Sequence, residues 1–141
     1  MQVENILQSK GRAVTTIGAR ATIAEAVDLL NTHRIGAVVV MDGKRVIGIL
    51  SERDVVRHLG KDWAALSSRP VSEVMTRDVV TAGRYATVAE LMERMTARRI
   101  RHLPIVEGGE LCGIVSIGDV VKRKIEETEQ EATALKEYIA S

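Results

Sequence analysis

Two short segments of the chain carry the same polar residues at the same spacing. Gly-Ile-Leu-Ser-Glu-Arg-Asp occupies 48–54, and Gly-Ile-Val-Ser-Ile-Gly-Asp occupies 113–119. In both, a serine stands three residues before an aspartate, where an apolar run ends and a closing helix is predicted. The pair can form a capping box that satisfies the first amides of that helix. Alternatively, free amides at the helix N-terminus can bind a phosphate, while the carboxylate binds a ribose diol. The residues alone leave both interpretations open.

Both segments belong to a longer internal repeat. Shifting the sequence by 65 positions aligns residues 14–56 with 79–121 without a gap. Ala-Thr-Ile-Ala-Glu at 21–25, for example, recurs in the second copy as Ala-Thr-Val-Ala-Glu. The start of the chain repeats more loosely, since Val-Glu-Asn-Ile-Leu at 3–7 resembles Val-Ser-Glu-Val-Met at 71–75. The chain is therefore a duplication, and equivalent positions in its two copies can be compared.

Each copy predicts the same order of elements around its Ser-x-x-Asp segment. A threonine followed three residues later by a glutamate marks a helix start at Thr22 and again at Thr87, and apolar residues then recur at helical spacing. A hairpin follows, which in the first copy consists of an apolar run, the turn Asp42-Gly43 and a second apolar run at 45–50. The closing helix begins at the serine of the Ser-x-x-Asp segment in each copy.

These elements predict an α/β (α+β) fold in which two βαββα repeats pack into one module with pseudo-two-fold symmetry. A single repeat of about 60 residues buries too little surface to be comfortably stable, and its strands are apolar on both faces. We therefore expect the repeats to share one core. The predicted divisions are a first repeat at 1–60, a linker at 61–69, a second repeat at 70–125 and a helical extension at 126–141.

Composition and charge argue against several functional classes. The 141 residues carry a formal net charge of +1 and only 2% aromatic residues, which disfavours a nucleic-acid surface. No apolar run approaches the ~20 residues that cross a bilayer, and no signal-peptide pattern is present, so we expect a cytoplasmic protein without a membrane partner. The single cysteine, Cys112, permits no intramolecular disulfide. Because the histidines lack metal-site spacing and no nucleophile is paired with a base, we expect neither a metal nor catalysis.

The tandem arrangement resembles a pair of cystathionine-β-synthase (CBS) domains. The resemblance lies in the two Gly-x-x-Ser-x-x-Asp segments, in the order of elements and in Arg-Ile-Arg-His-Leu-Pro-Ile-Val at 99–106. It covers residues 3–125, which is nearly the whole chain. The resemblance implies a disc-like module whose two clefts bind adenosine-containing ligands, and usually a dimer of such modules.

The resemblance also implies which residues share each cleft, because the serine and aspartate of one repeat face the early strands of the other. The first cleft is expected to contain Ser51, Arg53, Asp54, Val80, Ile100, Arg101 and His102. The second is expected to contain Thr15, Ile35, Gly36, Ala37, Ser116 and Asp119. Backbone groups would read the adenine edge, and an isoleucine of each cleft would flank the ring.

The two clefts differ in charge. Arg53, Arg101 and His102 bring cationic groups to the first cleft, which suits phosphates, whereas Gly118 takes the place of Arg53 in the second. Each arginine taken alone is equally consistent with a solvated surface charge. We expect AMP, ADP, ATP or NAD(H) as the bound ligand, in preference to S-adenosylmethionine.

Two functions fit this sequence. The first is a regulatory sensor that binds an adenosine nucleotide and signals to a partner protein, which the sequence does not identify, through a conformational change. The alternative is a ligand-independent dimeric scaffold that acts only through protein contacts.

The C-terminal segment predicts one long helix. A heptad-like seam runs along it at alternating spacings of four and three residues: Val121, Ile125, Thr128, Ala132, Leu135 and Ile139. The seam can pack back on its own module or on a second subunit. We expect it to join a homodimer interface.

Overall fold

The computed structural model describes all 141 residues as two α/β repeats, each preceded by a short lead-in segment. In chain order, the first part contains α1 (Val3–Lys10), β1 (Thr16–Gly18), α2 (Ile23–His33), β2 (Ala37–Asp42), β3 (Arg45–Ser51) and α3 (Glu52–Leu59). The second part contains α4 (Trp63–Ser67), a 3-10 turn (Val71–Glu73), α5 (Val88–Arg98), β4 (His102–Glu107), β5 (Glu110–Ser116) and α6 (Ile117–Ala140). The predicted βαββα order and the long C-terminal helix are confirmed.

A β-hairpin lies at the centre of each repeat. β2 pairs antiparallel with β3, and β4 pairs antiparallel with β5. Both ladders shift register at equivalent positions, after Val40 and after Ile105. β1 adds a parallel strand to the first hairpin, while a single parallel bridge from Ala82 to Ile105 takes its place in the second repeat. The first turn falls one position later than predicted, at residues 43–44, because Asp42 still pairs with Arg45.

Threonine side chains start the first helix of each repeat. Thr22 Oγ1 accepts a hydrogen bond from Glu25 N at 3.2 Å, and Thr87 Oγ1 accepts one from Glu90 N at 3.1 Å. Neither glutamate side chain returns a bond to the threonine amide. Each start is therefore one half of the predicted capping box, which is enough to fix where the helix begins.

The two lead-in segments are exchanged between the repeats. Val3, Ile6 and Leu7 of α1 are buried in the apolar cluster of the second repeat, whereas residues 71–75 contribute to the cluster of the first. Each fully buried aliphatic side chain contributes about 1.5–3 kcal/mol of hydrophobic stabilisation. The interior thus consists of two interlocked clusters and not of the single shared core that we expected. The predicted boundary between the repeats follows the duplication, but the packing crosses it.

Two glycines allow this exchange by letting a lead-in segment pass directly over a hairpin. A Cβ at Gly113 would lie 2.6 Å from Leu7 Cδ2 in α1, and a Cβ at Gly48 would lie 3.1 Å from the Thr76 carbonyl oxygen and still closer to Met75. Both separations are too short for a side chain to be accommodated without displacement. The glycine that opens each Gly-x-x-Ser-x-x-Asp segment is therefore required by a close approach.

The long helix α6 carries its apolar seam into solvent. Its first turns rest on the second repeat through Val120, which is fully buried. The seam residues are 42% exposed at Val121, 59% at Leu135 and 73% at Ile139, so the seam does not pack back on its own module. None of the helices combines the length and the apolar character that crossing a membrane requires.

Candidate ligand-binding cleft

Ser51 and Asp54 form a complete capping box at the start of α3. Ser51 N donates to Asp54 Oδ2 at 2.9 Å, and Asp54 N donates to Ser51 Oγ at 3.3 Å. Thr76 Oγ1 donates to the other carboxylate oxygen, Asp54 Oδ1, at 3.2 Å. Asp54 is only 7% exposed and is the one buried charged residue of the chain. Since a carboxylate offers about four acceptor directions, Oδ1 keeps one for a ligand hydroxyl.

The capping box uses most of the amides that a phosphate could have met at this helix start. Glu52 N donates to the Gly36 carbonyl at 3.0 Å, and the amides of Ser51 and Asp54 are engaged within the box. Arg53 N has no such partner in the chain. Both interpretations of the motif thus hold in part: the box is formed, and one amide stays available to an anion.

A cavity of about 200 Å³ opens beside this helix start, between the two repeats. Six of the seven residues expected in the first cleft line it: Ser51, Arg53, Asp54, Ile100, Arg101 and His102. Val80 lies outside this lining and packs against the apolar cluster of the second repeat. Six further residues complete the wall: Gly36, Ile49, Glu52, Arg57, Thr76 and Arg99.

Four arginines make this cavity cationic. Arg53 and Arg57 lie one helical turn apart on α3, whereas Arg99 and Arg101 come from the segment between α5 and β4. None of the four forms an ion pair with a carboxylate of the chain; the ion pairs involve other residues. Guanidinium groups without an internal partner are suited to bind phosphate through charge-assisted, bidentate hydrogen bonds.

His102 lies where the two repeats meet, facing Gly36 and Glu52. A Cβ on Gly36 would lie 2.9 Å from both His102 Nε2 and Glu52 Oε1, so a larger residue at this position would have to displace the ends of these two side chains. Burial lowers the pKa of His102, and the positive charge of Lys10 acts in the same direction, while the nearby Glu52 carboxylate offsets part of this effect. The neutral imidazole can therefore donate to or accept from a ligand.

The residues expected in the second cleft are distributed over several places. Ser116 and Asp119 form the same capping box at the start of α6, at 2.9 and 3.2 Å. Asp119 also binds the Lys10 ammonium at 2.6 Å. Ile35 and Gly36 line a groove between α2 and α3, and Gly36 also lines the first cavity.

The remaining two residues of that set serve the first sheet. Ala37 is buried in β2 opposite Ser51, and the Thr15 carbonyl accepts a hydrogen bond from Val39 N at 3.2 Å. Six residues of the first set thus line one cavity, whereas the second set divides into Ser116 with Asp119 at the start of α6 and residues 35–37 beside the first sheet.

Sequence reasoning missed several residues of the first cavity, although two had readable signals. Arg57 follows Arg53 by four residues, which places both on one helix face. Arg99 repeats Arg34, which stands at the equivalent position of the first repeat. Both arginines end their helices in the left-handed conformation, with φ of 52° at Arg99. Thr76 had no such signal, because it reaches Asp54 through the exchange of lead-in segments.

The structure contains no cluster of three or more histidine, cysteine or acidic residues that could hold a metal ion. The polar groups of the first cavity are instead guanidinium groups, one imidazole, carboxylates and the hydroxyls of Ser51 and Thr76. The guanidinium groups suit anionic charges, the Asp54 carboxylate can accept from hydroxyls, and Ile49 and Ile100 add apolar surface.

Comparison with known proteins agrees with this architecture. The family model of the CBS domain matches residues 6–61 and 71–126. The mitochondrial CBS domain-containing protein CBSX3 of Arabidopsis thaliana is 30% identical over 97% of this chain and 71% of its own length.

Solved structures show the same pair of repeats. The CBS-domain containing protein ATU1752 of Agrobacterium tumefaciens is 46% identical, with a TM-score of 0.84 over 88% of this chain and 99% of that one. The CBS domain pair of protein MJ0100, in complex with 5′-methylthioadenosine and S-adenosylmethionine, is 25% identical, with a TM-score of 0.78 over 90% of this chain and 98% of that one. The chain therefore belongs to the CBS domain family and carries two such domains in tandem.

Proposed function

We propose that this protein is a non-catalytic sensor that binds a phosphate-bearing adenosine ligand in the first cleft. The observation that carries the proposal is the meeting of four unpaired arginines with one buried, partly accepting carboxylate around a single cavity. Arginines by themselves would bind any anion, whereas an aspartate in a helix cap would by itself bind no anionic ligand. Together they match a molecule with a diol at one end and phosphate at the other.

The geometry suggests how such a ligand would lie. Asp54 Oδ1 has a free acceptor direction for a ribose hydroxyl beside the Thr76 hydroxyl. Ile49 and Ile100 line the same cavity and supply an apolar slot for a flat ring. Phosphate groups would extend toward Arg53, whose backbone amide also lacks a partner. AMP, ADP, ATP and NAD(H) all fit this description.

The charge of the cavity favours these ligands over uncharged adenosine derivatives. Arg53, Arg57, Arg99 and Arg101 contribute four positive charges against two carboxylates, Glu52 and Asp54, and His102 is neutral. The similar domain pair of MJ0100 holds 5′-methylthioadenosine and S-adenosylmethionine, neither of which carries phosphate. The shared element would then be adenosine recognition, and the arginines of this chain would add phosphate selectivity.

The proposal is tested by calorimetric titration with AMP and adenosine. AMP should bind at least tenfold more tightly than adenosine, because one charge-assisted hydrogen bond contributes about 1.5–3 kcal/mol. Asp54→Ala should weaken AMP binding by at least about tenfold for the same reason. Asp62→Ala is the matched control, since the Asp62 carboxylate also accepts from a backbone amide at a helix start, Ala65 N, but lies outside the cavity. Unchanged AMP affinity in Asp54→Ala, with the control normal, would refute the ribose assignment.

A sensor also needs a way to pass its state on. Ligand contacts in the first cleft come from both repeats, so binding can favour one relative position of the repeats over another. A partner protein responds only if it binds those positions with different affinity. A scaffold that works without ligand would instead show no thermal stabilisation by millimolar AMP, ATP or NADH, and that result would favour the alternative.

We further propose that the sensor is a homodimer assembled through α6. The exposed seam from Val121 to Ile139 is apolar at heptad-like spacing and lacks an intramolecular partner. A second copy of the same helix is the simplest surface that matches it.

A further inference from the structure

Lys10 reaches from the end of α1 into the place where the second cleft would bind a ribose. Its ammonium lies 2.6 Å from Asp119 Oδ2 and 2.9 Å from the Ile114 carbonyl oxygen. Asp119 is the repeat equivalent of Asp54, and Ile114 is the repeat equivalent of Ile49. The lysine therefore binds the two groups of the second repeat that correspond to a carboxylate and a carbonyl of the first cleft.

In the first cleft those two groups are bound by a threonine. Thr76 N donates to the Ile49 carbonyl at 2.9 Å, and Thr76 Oγ1 donates to Asp54 Oδ1 at 3.2 Å. One lysine ammonium in the second repeat thus replaces two donors of one threonine in the first. The threonine is short and leaves an open cavity beside the aspartate, whereas the lysine places its ammonium on one oxygen of Asp119, whose side chain stays 26% exposed.

The different length of the two lead-in segments explains the replacement. The second lead-in forms only the 3-10 turn Val71–Glu73, after which the chain pairs directly with β3. The first lead-in forms eight residues of α-helix, Val3–Lys10. The extra turn keeps the backbone away from Ile114, so a side chain makes the bond instead.

α1 holds Lys10 firmly in this position. Val3 and Leu7 are fully buried, Leu7 packs against Gly113, and Arg123 donates to the Asn5 carbonyl at 3.0 Å. Burial raises the pKa of Asp119, but the hydrogen bonds from Lys10 and Ser116 more than offset this, and its pKa lies below the usual value. The carboxylate is therefore ionised and already bound to a cation.

A ribose diol could approach Asp119 Oδ1, which neither the cap nor Lys10 uses, but it would have to displace the ammonium to reach Oδ2. Hydrogen bonds between charged partners are roughly twice as strong as neutral ones. The bonds of two neutral hydroxyls would therefore not compensate for the loss of one ammonium. The second cleft also offers fewer cations to a phosphate, because Gly118 and Gly36 stand at the positions of Arg53 and Arg101, while Arg34 and Lys122 keep a positive charge at the positions of Arg99 and Arg57.

We infer that Lys10 is a tethered occupant of the second cleft, which closes it to nucleosides and limits the chain to one ligand. The inference rests on the proposed function, in which the equivalent aspartate of the first cleft binds ribose. Lys10 thereby determines stoichiometry, and a threonine at position 10 would free the Asp119 carboxylate.

The test is native mass spectrometry and calorimetry with AMP on the wild type, Lys10→Thr and Lys10→Arg. The wild type and Lys10→Arg should bind one AMP per chain, because arginine keeps the ion pair. Lys10→Thr should bind a second AMP, at least tenfold more tightly than any residual second binding to the wild type. That gain should persist in Lys10→Thr/Asp54→Ala and vanish in Lys10→Thr/Asp119→Ala.

The outcomes separate this inference from the proposed function. If Lys10→Thr retains its thermal midpoint and gains no Asp119-dependent site, the inference is overturned, whatever happens at Asp54. It is equally overturned if the wild type already binds AMP at an Asp119-dependent site. Failure of Asp54→Ala to weaken the first binding event would instead count against the proposed function, while a gain of binding in Lys10→Thr would still support the closure by Lys10.

Discussion

Asp54 and Asp119 occupy equivalent positions and build the same helix cap, yet their carboxylates meet different partners. Asp54 accepts from the neutral hydroxyl of Thr76, whereas Asp119 accepts from the ammonium of Lys10. A hydroxyl can rearrange when a ligand arrives, since it both donates and accepts. An ammonium leaves an unpaired charge behind if it is displaced. We therefore expect the two copies of the Gly-x-x-Ser-x-x-Asp motif to differ in what they bind, because each aspartate has a different neighbouring donor.

His102 leads to a pH-dependent prediction for ligand binding. Burial lowers its pKa in the free protein, so it is neutral at pH 7. A bound phosphate would favour the imidazolium and raise this pKa, and binding should then take up protons near pH 6.5. Calorimetry of AMP binding at pH 6.5, in buffers of different ionisation enthalpy, measures that uptake. Free AMP brings the same protonation state of its phosphate to every variant, so the additional proton on the imidazole should make the uptake larger for the wild type than for His102→Gln.

Protonation of His102 has the opposite effect on the stability of the protein without ligand. Because the unfolded chain holds the His102 proton more tightly than the folded one, its contribution lowers the free energy of unfolding as pH falls from the ordinary value of 6.5 toward the folded pKa. Above that window the contribution is absent.

Equal proton uptake by the wild type and His102→Gln would show that the imidazole does not face the phosphate.

The close approach of the lead-in segments predicts the effect of filling Gly48. Its new methyl group would press on the Thr76 carbonyl and on Met75, so Gly48→Ala should lower the free energy of unfolding by about 1–3 kcal/mol. Gly18→Ala is the matched control, since a Cβ there meets nothing within 4 Å. Urea denaturation followed by circular dichroism measures both. A Gly48→Ala protein as stable as the control would show that the lead-in can move away without cost.

Gly113→Ala should be milder than Gly48→Ala. Its methyl group would meet only the flexible end of Leu7, whereas Gly48 also faces backbone. The difference between the two glycines is expected even though the duplication makes them equivalent in sequence.

The elements could be predicted from sequence because their signals are local. Thr22 and Thr87 mark helix starts within three residues, and the apolar runs at 37–41 and 45–50 specify their own pairing. The same reasoning could not place α1, because the pattern of an amphipathic segment does not specify which apolar cluster it packs against. Lys10 and Thr76 were missed for this reason: each reaches its aspartate only after the lead-in segments have been exchanged. The first cleft, built from residues near the motifs, was largely predictable.

At the scale of the assembly, the seam of α6 predicts how the dimer can be dissociated. Leu135→Glu/Ile139→Glu would bury carboxylates without partners in a helix–helix interface, which costs several kcal/mol. Light scattering after size-exclusion chromatography should then show a dimer for the wild type and a monomer for the variant. Ala134→Glu adds the same side chain off the seam and should stay dimeric. A wild type that is monomeric at tens of micromolar would contradict the proposed assembly.

The exchange of lead-in segments has a consequence for how the chain folds. Leu7 belongs to the same apolar cluster as Val115 and Val120, so the N-terminal helix cannot find its place until almost the whole sequence is available. Closing such a long loop costs conformational entropy before the native contacts form, and this cost slows folding. On the ribosome, α1 would wait unpaired while the first repeat emerges, and neither half expressed alone should reach a native state. We therefore expect the duplicated chain to fold as one cooperative unit, not as two independent domains.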